Sequence, residues 1–201
     1  MRHVGKTLKI TVPSCGHGGR YMRLFIAIEL PVEVKKMLAR LQREIPGARW
    51  VPMEQLHLTL SFLGEVDDAT CELLTGKLSE IAVSEFNLRF SGSGCFPTSR
   101  HPRVLWAGLA EEPLLTNLAD MVRKAVLLCG IPQEERPFSP HITLARFRQP
   151  AGKEVSAFLE KHQHMALPAF NVLEFILFQS QLTPHGAIHI PVRKFPLLLT
   201  K

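Results

Sequence analysis

A four-residue string occurs twice, once in each half of this 201-residue chain: His57-Leu58-Thr59-Leu60 and His141-Ile142-Thr143-Leu144. In an extended strand, successive side chains point to opposite faces. Each copy therefore offers an imidazole and a hydroxyl to one side and two aliphatic groups to the other. Core packing requires the aliphatic positions, but it does not require His-x-Thr twice. Two such strands constrain the chain to an arrangement in which the aliphatic faces share an interior and the polar faces share a cleft.

The surrounding pattern repeats with them. Arg23 to Glu29 is apolar and β-branched enough for a buried strand. Pro31 stands where a first helical residue would, Val34, Leu38, Leu41 and Ile45 follow at helical spacing, and Gly47 closes the helix. Trp50 to Leu63 reads as extended chain ended by Gly64. Asp67 or Asp68 caps a second helix carrying Leu74, Leu78 and Ile81. Phe86, Leu88 and Phe90 alternate as in a half-buried strand, and Gly92-Ser93-Gly94 and Pro97 to Pro102 read as loops.

In the second half, Val104 to Leu109 is a strand, and Pro113 opens a helix with Leu114, Leu118, Met121, Ala125 and Cys129 on one stripe before Gly130. Pro140 favours an extended Ser139 ahead of the second motif. A short helix over 154–161 follows. Strands over 170–179 and 188–195 are separated by a turn at 183–186. Strand and helix thus recur in similar order on either side of residues 90–100. The expected class is α+β, two similar lobes of mostly antiparallel sheet with helices around a central cleft, spanning 22–201, with residues 1–21 an extension ahead of it.

Composition bounds the function. With 46% hydrophobic and 21% charged residues, the chain can bury a core. A net charge of +6 and a pI near 9.4 favour a polyanionic partner. Cys15, Cys71, Cys95 and Cys129 are scattered, with no CxxC and no zinc spacing, which suits reduced thiols in a cytoplasmic protein. No apolar run approaches the ~20 residues that span a bilayer, and the first twenty residues lack a secretory h-region.

Two imidazoles titrating near neutral pH can act as acid and base in one turnover. Opposed across a cleft, they suit in-line displacement at phosphorus, with no cofactor and no metal expected. The two threonines would donate to phosphate oxygens. Beyond the chemistry, the strings Arg23-Leu-Phe-Ile-Ala-Ile-Glu-Leu-Pro31, His57-Leu-Thr-Leu-Ser-Phe-Leu-Gly64 and Ser139-Pro-His-Ile-Thr-Leu-Ala-Arg146 resemble the two-histidine phosphoesterases, and within them the LigT/ThpR-like RNA 2′,3′-cyclic phosphodiesterases, the 2′-5′ RNA ligase family. The resemblance runs from Arg23 to the C-terminus.

It implies a pseudo-twofold bilobal fold and an enzyme that opens an RNA terminal 2′,3′-cyclic phosphate to a 2′-phosphate, with ligation of tRNA fragments as the reverse reaction. It also implies a monomer acting on RNA ends in the cytoplasm, with no membrane partner. Carried over, His57 is the proton donor, His141 the proton acceptor, Thr59, Thr143 and Arg146 hold the phosphate, and Phe62 stacks on the terminal base. Regular alternation would turn Phe62 and Arg146 to the opposite face; a bulge at the strand end would re-aim them. His189 stands where the family usually carries a tyrosine. Two alternatives stay open: a phosphodiesterase of the same superfamily acting on 2′-5′ oligonucleotides or small cyclic phosphates, and a nucleotide-binding module without turnover. His3, His17, His101, His162, His164 and His185 read as ordinary solvated residues. Arg100, Arg103 and Arg148 could extend a basic track for RNA, or could be separate surface charges, as could Arg193 and Lys194.

Overall fold

A computed structural model describes residues 21–42, 45–165, 167–183 and 186–199. The expected extension and Cys15 fall outside them, except for Tyr21, which opens the first strand. In chain order the first half holds β1 (Tyr21–Glu29), α1 (Val32–Ala39), β2 (Arg49–Trp50), β3 (His57–Asp67), α2 (Asp68–Ser79), β4 (Phe86–Leu88) and β5 (Phe90–Pro97). The second half holds β6 (Pro102–Leu109), α3 (Pro113–Leu128), β7 (His141–Arg146), α4 (Gly152–Lys161), β8 (Phe170–Val172), β9 (Glu174–Thr183) and β10 (Gly186–Pro196).

The main sheet has eight strands in the order β10-β9-β1-β3-β7-β6-β5, with β2 added against β7. Its named pairs are antiparallel. A two-stranded sheet pairs β4 with β8, one from each half. The order is palindromic about the β3–β7 seam: β1 answers β6 and β9 answers β5, while β10 has no counterpart among the described residues. Only Leu58 and Ile142 are in register at the seam. Beyond them β2 takes the free edge of β7, pairing Arg49 with Arg146. The sheet is therefore continuous, and the two lobes are its two halves.

One face carries the core. Leu24, Ile26 and Ile28 of β1, Leu58 and Leu60 of β3, and Ile142 and Leu144 of β7 pack there against residues of all four helices. The opposite face carries a small separate cluster, Phe25, Ala27, Ile176 and Phe178. That second cluster explains why β1 is apolar at every position from Leu24 to Ile28 rather than alternating. No helix among the described residues is long and apolar enough to cross a membrane.

Several boundaries differ from expectation. The first helix ends at Ala39, where Leu41 and Gln42 bond back three residues instead of four, and Pro46 then forbids continuation. β3 runs through Gly64, whose φ of +73° is absorbed by a bulge, and ends at Asp67, which caps α2 by accepting from the Thr70 amide at 2.9 Å. Residues 86–90 are divided between two strands in different sheets, β4 ending at Leu88 and β5 beginning at Phe90. Gly92 to Gly94 lies within β5 and not in a loop: the Trp106 ring packs on Gly94, so that a Cβ there would lie 2.2 Å from it. The expected strand over 170–179 is likewise divided into β8 and β9. The buried stripe of α3 is Leu115, Leu118, Ala119, Val122, Ala125 and Val126, leaving Leu114 and Met121 at its margin.

Candidate active site

The two motifs lie side by side on the open face of the sheet. The antiparallel pair Leu58–Ile142 is the fixed point. One residue to either side, His57 comes abreast of Thr143 and Thr59 abreast of His141. The two histidines are then diagonal neighbours, a relationship that sets backbones about 7–8 Å apart. Within each motif burial follows the same sequence: the histidine and threonine are half-buried, the aliphatic residues between and after them are buried.

Matched bulges continue the symmetry. Against β1, Ala27 pairs with Thr59 and Ile26 with Ser61, skipping Leu60. Against β6, Trp106 pairs with Thr143 and Leu105 with Ala145, skipping Leu144. Each bulge inserts one residue and resets the alternation. Phe62, paired with Phe25, therefore returns to the histidine face, where its ring lies 6.3 Å from that of Phe25. Arg146, paired with Val104, returns to the face of Trp106 and Thr143. Both are exposed, Phe62 to 68%. The bulge thus resolves the alternation against the opposite-face reading. Ser61, buried by the same shift, donates to Gln133 Oε1 at 2.6 Å, and Gln133 donates in turn to the Phe62 carbonyl.

Each imidazole is held by the carbonyl two residues before it. His57 Nδ1 lies 2.6 Å from the Gln55 oxygen, and His141 Nδ1 lies 2.8 Å from the Ser139 oxygen. A carbonyl only accepts, so Nδ1 carries the hydrogen in both rings and Nε2 is left to exchange protons. A 3₁₀ turn, Met53–Gln55, presents the first carbonyl. Ser139, which precedes Pro140, presents the second.

The walls differ. Glu29 stands opposite His57, where the other half has Gly108 opposite His141. Ala27 stands opposite Thr59, where the other half has Trp106 opposite Thr143. His57 packs on Phe25, with ring centroids 4.9 Å apart, and His141 packs on Phe96 at 5.1 Å. Beside His57 the buried Lys35 ammonium bonds Glu29 Oε1 at 3.0 Å and the Glu54 carbonyl at 3.3 Å. Burial pushes His57 down to about 4, helped by the neighbouring His189 and Lys35 and opposed by the hydrogen bond to Gln55. A recess of about 170 Å³ lies between His57, His189, Lys35 and Phe178, and another of about 510 Å³ lies beside the second motif, between Trp106, Phe138 and Pro140.

Sequence reasoning did not assign Phe25, Gln55, Phe96, Trp106 or Arg49 to the site. Arg49 pairs abreast of Arg146 and doubles the positive charge there. The unbroken apolar run from Leu24 to Ile28 was the one available sign that Phe25 faces something other than the core. Arg100, Arg103, Arg148, Arg193 and Lys194 are exposed, and Lys194 is paired with Glu174 at 2.6 Å.

Duplicated strands, paired His-x-Thr and tethered imidazoles on one face define a two-histidine phosphoesterase cleft. The family described as LigT like Phosphoesterase matches residues 28–106 and again 108–189, one match for each motif, and the chain belongs to that family. An RNA 2′,3′-cyclic phosphodiesterase of Archaeoglobus fulgidus is 33% identical over 177 residues, covering 87% of this chain and 99% of that protein. One from Thermus thermophilus is 36% identical over 187 residues, covering 88% and 90%. The crystal structure of Escherichia coli LigT complexed with 3′-AMP superposes with a TM-score of 0.72 at 30% identity, covering 89% of this chain and 99% of that one.

Proposed function

We propose that this protein is an RNA 2′,3′-cyclic phosphodiesterase whose two tethered imidazoles do the proton transfers. The carrying observation is that both Nδ1 atoms are committed to backbone carbonyls on one face of one sheet, which leaves a matched pair of Nε2 atoms for a single phosphate. Water gives a proton to one imidazole as its oxygen bonds to phosphorus. The bond from phosphorus to the 3′ oxygen breaks, and that oxygen takes a proton from the other imidazole, leaving a 2′-phosphate and a 3′-hydroxyl. Thr59 and Thr143 donate to the non-bridging oxygens, Arg146 with Arg49 supplies charge, and Phe62 offers a face to the terminal base.

In this reading His57 donates and His141 accepts. The bound cyclic phosphate, an anion, favours the charged imidazole and so loads His57 despite its burial. A second reading exchanges the roles, and the low proton affinity that burial gives His57 favours it. The opposite sense of reaction needs a second RNA end in place of water, so hydrolysis is the default direction and 2′-5′ joining of tRNA fragments the exception. We place the reaction in the cytoplasm, carried out by a monomer, with the free thiols Cys71, Cys95 and Cys129 consistent with a reducing compartment.

The test is a short RNA ending in a 2′,3′-cyclic phosphate, incubated in chelator, with products resolved as 2′- or 3′-phosphate. Activity that disappears with the chelator, or that survives in both His57→Ala and His141→Ala, refutes the proposal. A substrate with sulfur at the 3′ bridging position separates the roles. A thiolate leaves without a proton, so this substrate rescues the variant lacking the donor and not the one lacking the base.

A further inference from the structure

The two motifs match in sequence, burial, bulge and tether, so something outside them must make the histidines unequal. The candidate is the strand without a symmetry mate. β10 returns from β9 as the long arm of a hairpin at the edge of the sheet, and no described strand occupies the corresponding place beyond β5. This arm lies over the first motif only. The Gln55 side-chain amide donates to the Ala187 carbonyl near its start, while the Gln55 backbone carbonyl holds His57. Two residues on from Ala187, His189 meets His57 edge to face, with ring centroids 5.2 Å apart and planes at 77°. The same imidazole lies 4.8 Å from Phe25, which itself lies 4.9 Å from His57. Three rings thus form a closed triangle, and His57 is one corner of it.

We propose that His189 is a positioning residue for His57: through the β9–β10 hairpin and the Gln55 clasp it fixes the His57 ring in the three-ring cluster and shields it from water. The inference rests on the cyclic-phosphate reading for its consequence in catalysis, but not for its geometry. The other charged groups facing the triangle are Lys35 from α1, Glu29 from β1 and Glu54 from the 3₁₀ turn. Lys35 is matched by Glu29, with Nζ 3.0 Å from Oε1. His141 has Phe96 and Trp106 around it instead, with no second imidazole in ring contact among the described residues.

Histidine titration by NMR, read alongside the pH profile of kcat/KM, tests this. His189→Ala is expected to raise the His57 midpoint by about one pH unit, to move the acid limb of kcat/KM by the same amount and to leave His141 where it was. His189→Phe, which restores a ring at the third corner, is expected to return both readouts close to the wild-type values. Gln55→Ala, which cuts the clasp and keeps the backbone carbonyl, is expected to move His57 in the same direction by less, and it serves if His189→Ala does not fold. An unmoved His57 midpoint in His189→Ala and Gln55→Ala, or a failure of His189→Phe to restore it, overturns the proposal. A His57 midpoint that moves as expected in a protein inactive on every cyclic phosphate would instead overturn the assigned reaction.

Discussion

Leu58 and Ile142 face each other across the seam between β3 and β7, both fully buried, and they are the only residues of the two strands in register. The placement of four polar side chains on the far face follows from that one contact. If Leu58 and Ile142 point into the core, the residue before and the residue after each must point out of it, and those are His57, Thr59, His141 and Thr143.

Emptying the seam should damage both stability and activity. Leu58→Ala removes a side chain that is 0% exposed and leaves a cavity between the halves. The expected loss is about 2–5 kcal/mol, read from urea unfolding. Turnover should fall as well, because the register of the motifs depends on this pair. Unchanged stability would mean that the halves are held together elsewhere.

Replacing either motif histidine should cost turnover without costing the fold. His57→Ala and His141→Ala are each expected to lose roughly 10²–10⁴-fold in kcat, with the far-ultraviolet circular dichroism unchanged. On the proposed mechanism the double variant should lose much less than the product of the two, because residues that act as a unit are not additive. Strict multiplicativity in single-turnover rates would speak against a shared phosphate.

Stability should fall on acidification through a window that belongs to the cleft. His57 titrates near 4 in the folded protein against 6.5 in the unfolded chain. Between those values the unfolded chain binds a proton that the native state refuses, so stability is complete above pH 6.5 and is lost as pH falls toward 4. His189, also lowered by burial, acts in the same direction, whereas the capping carboxylate of Asp67 titrates below its ordinary 3.8. The urea midpoint should drop between pH 7 and pH 5, and His57→Asn should drop less. An equal drop in both proteins would remove His57 from the explanation.

A glycine distant from the chemistry should matter. Gly94 lies under the Trp106 ring, which is 5.3 Å from Phe96 and 6.2 Å from His141. The Cβ of Gly94→Ala would sit 2.2 Å from ring carbons, so the indole must move. The expected cost is about 1–3 kcal/mol together with a lower kcat. A variant with wild-type stability and rate would show that the Trp106 ring has room to shift.

Much of this was legible in one dimension. The period of two in His57-Leu58-Thr59-Leu60 and its repeat shows which side chains share a face, because pleating is a local property of the backbone. Asp67 as a helix cap is local in the same sense. Phe62 and Arg146 were not legible, since their direction depends on a bulge that only the neighbouring strand reveals. Gly94 read as a loop because its reason, the Trp106 ring, arrives from another strand.

The chain by itself determined that there are two similar halves, what each motif puts on its inner and outer face, and which residues are candidates for proton chemistry. The folded structure alone decided that the halves join edge to edge at Leu58 and Ile142, that bulges return Phe62 and Arg146 to the cleft, and that β10, without a counterpart among the described residues, brings His189 onto His57 and Ala187 onto Gln55. Periodicity and capping act within a few residues and leave a trace in the local string. Strand order, bulge position and ring contact depend on residues remote in the chain, and no local pattern encodes them.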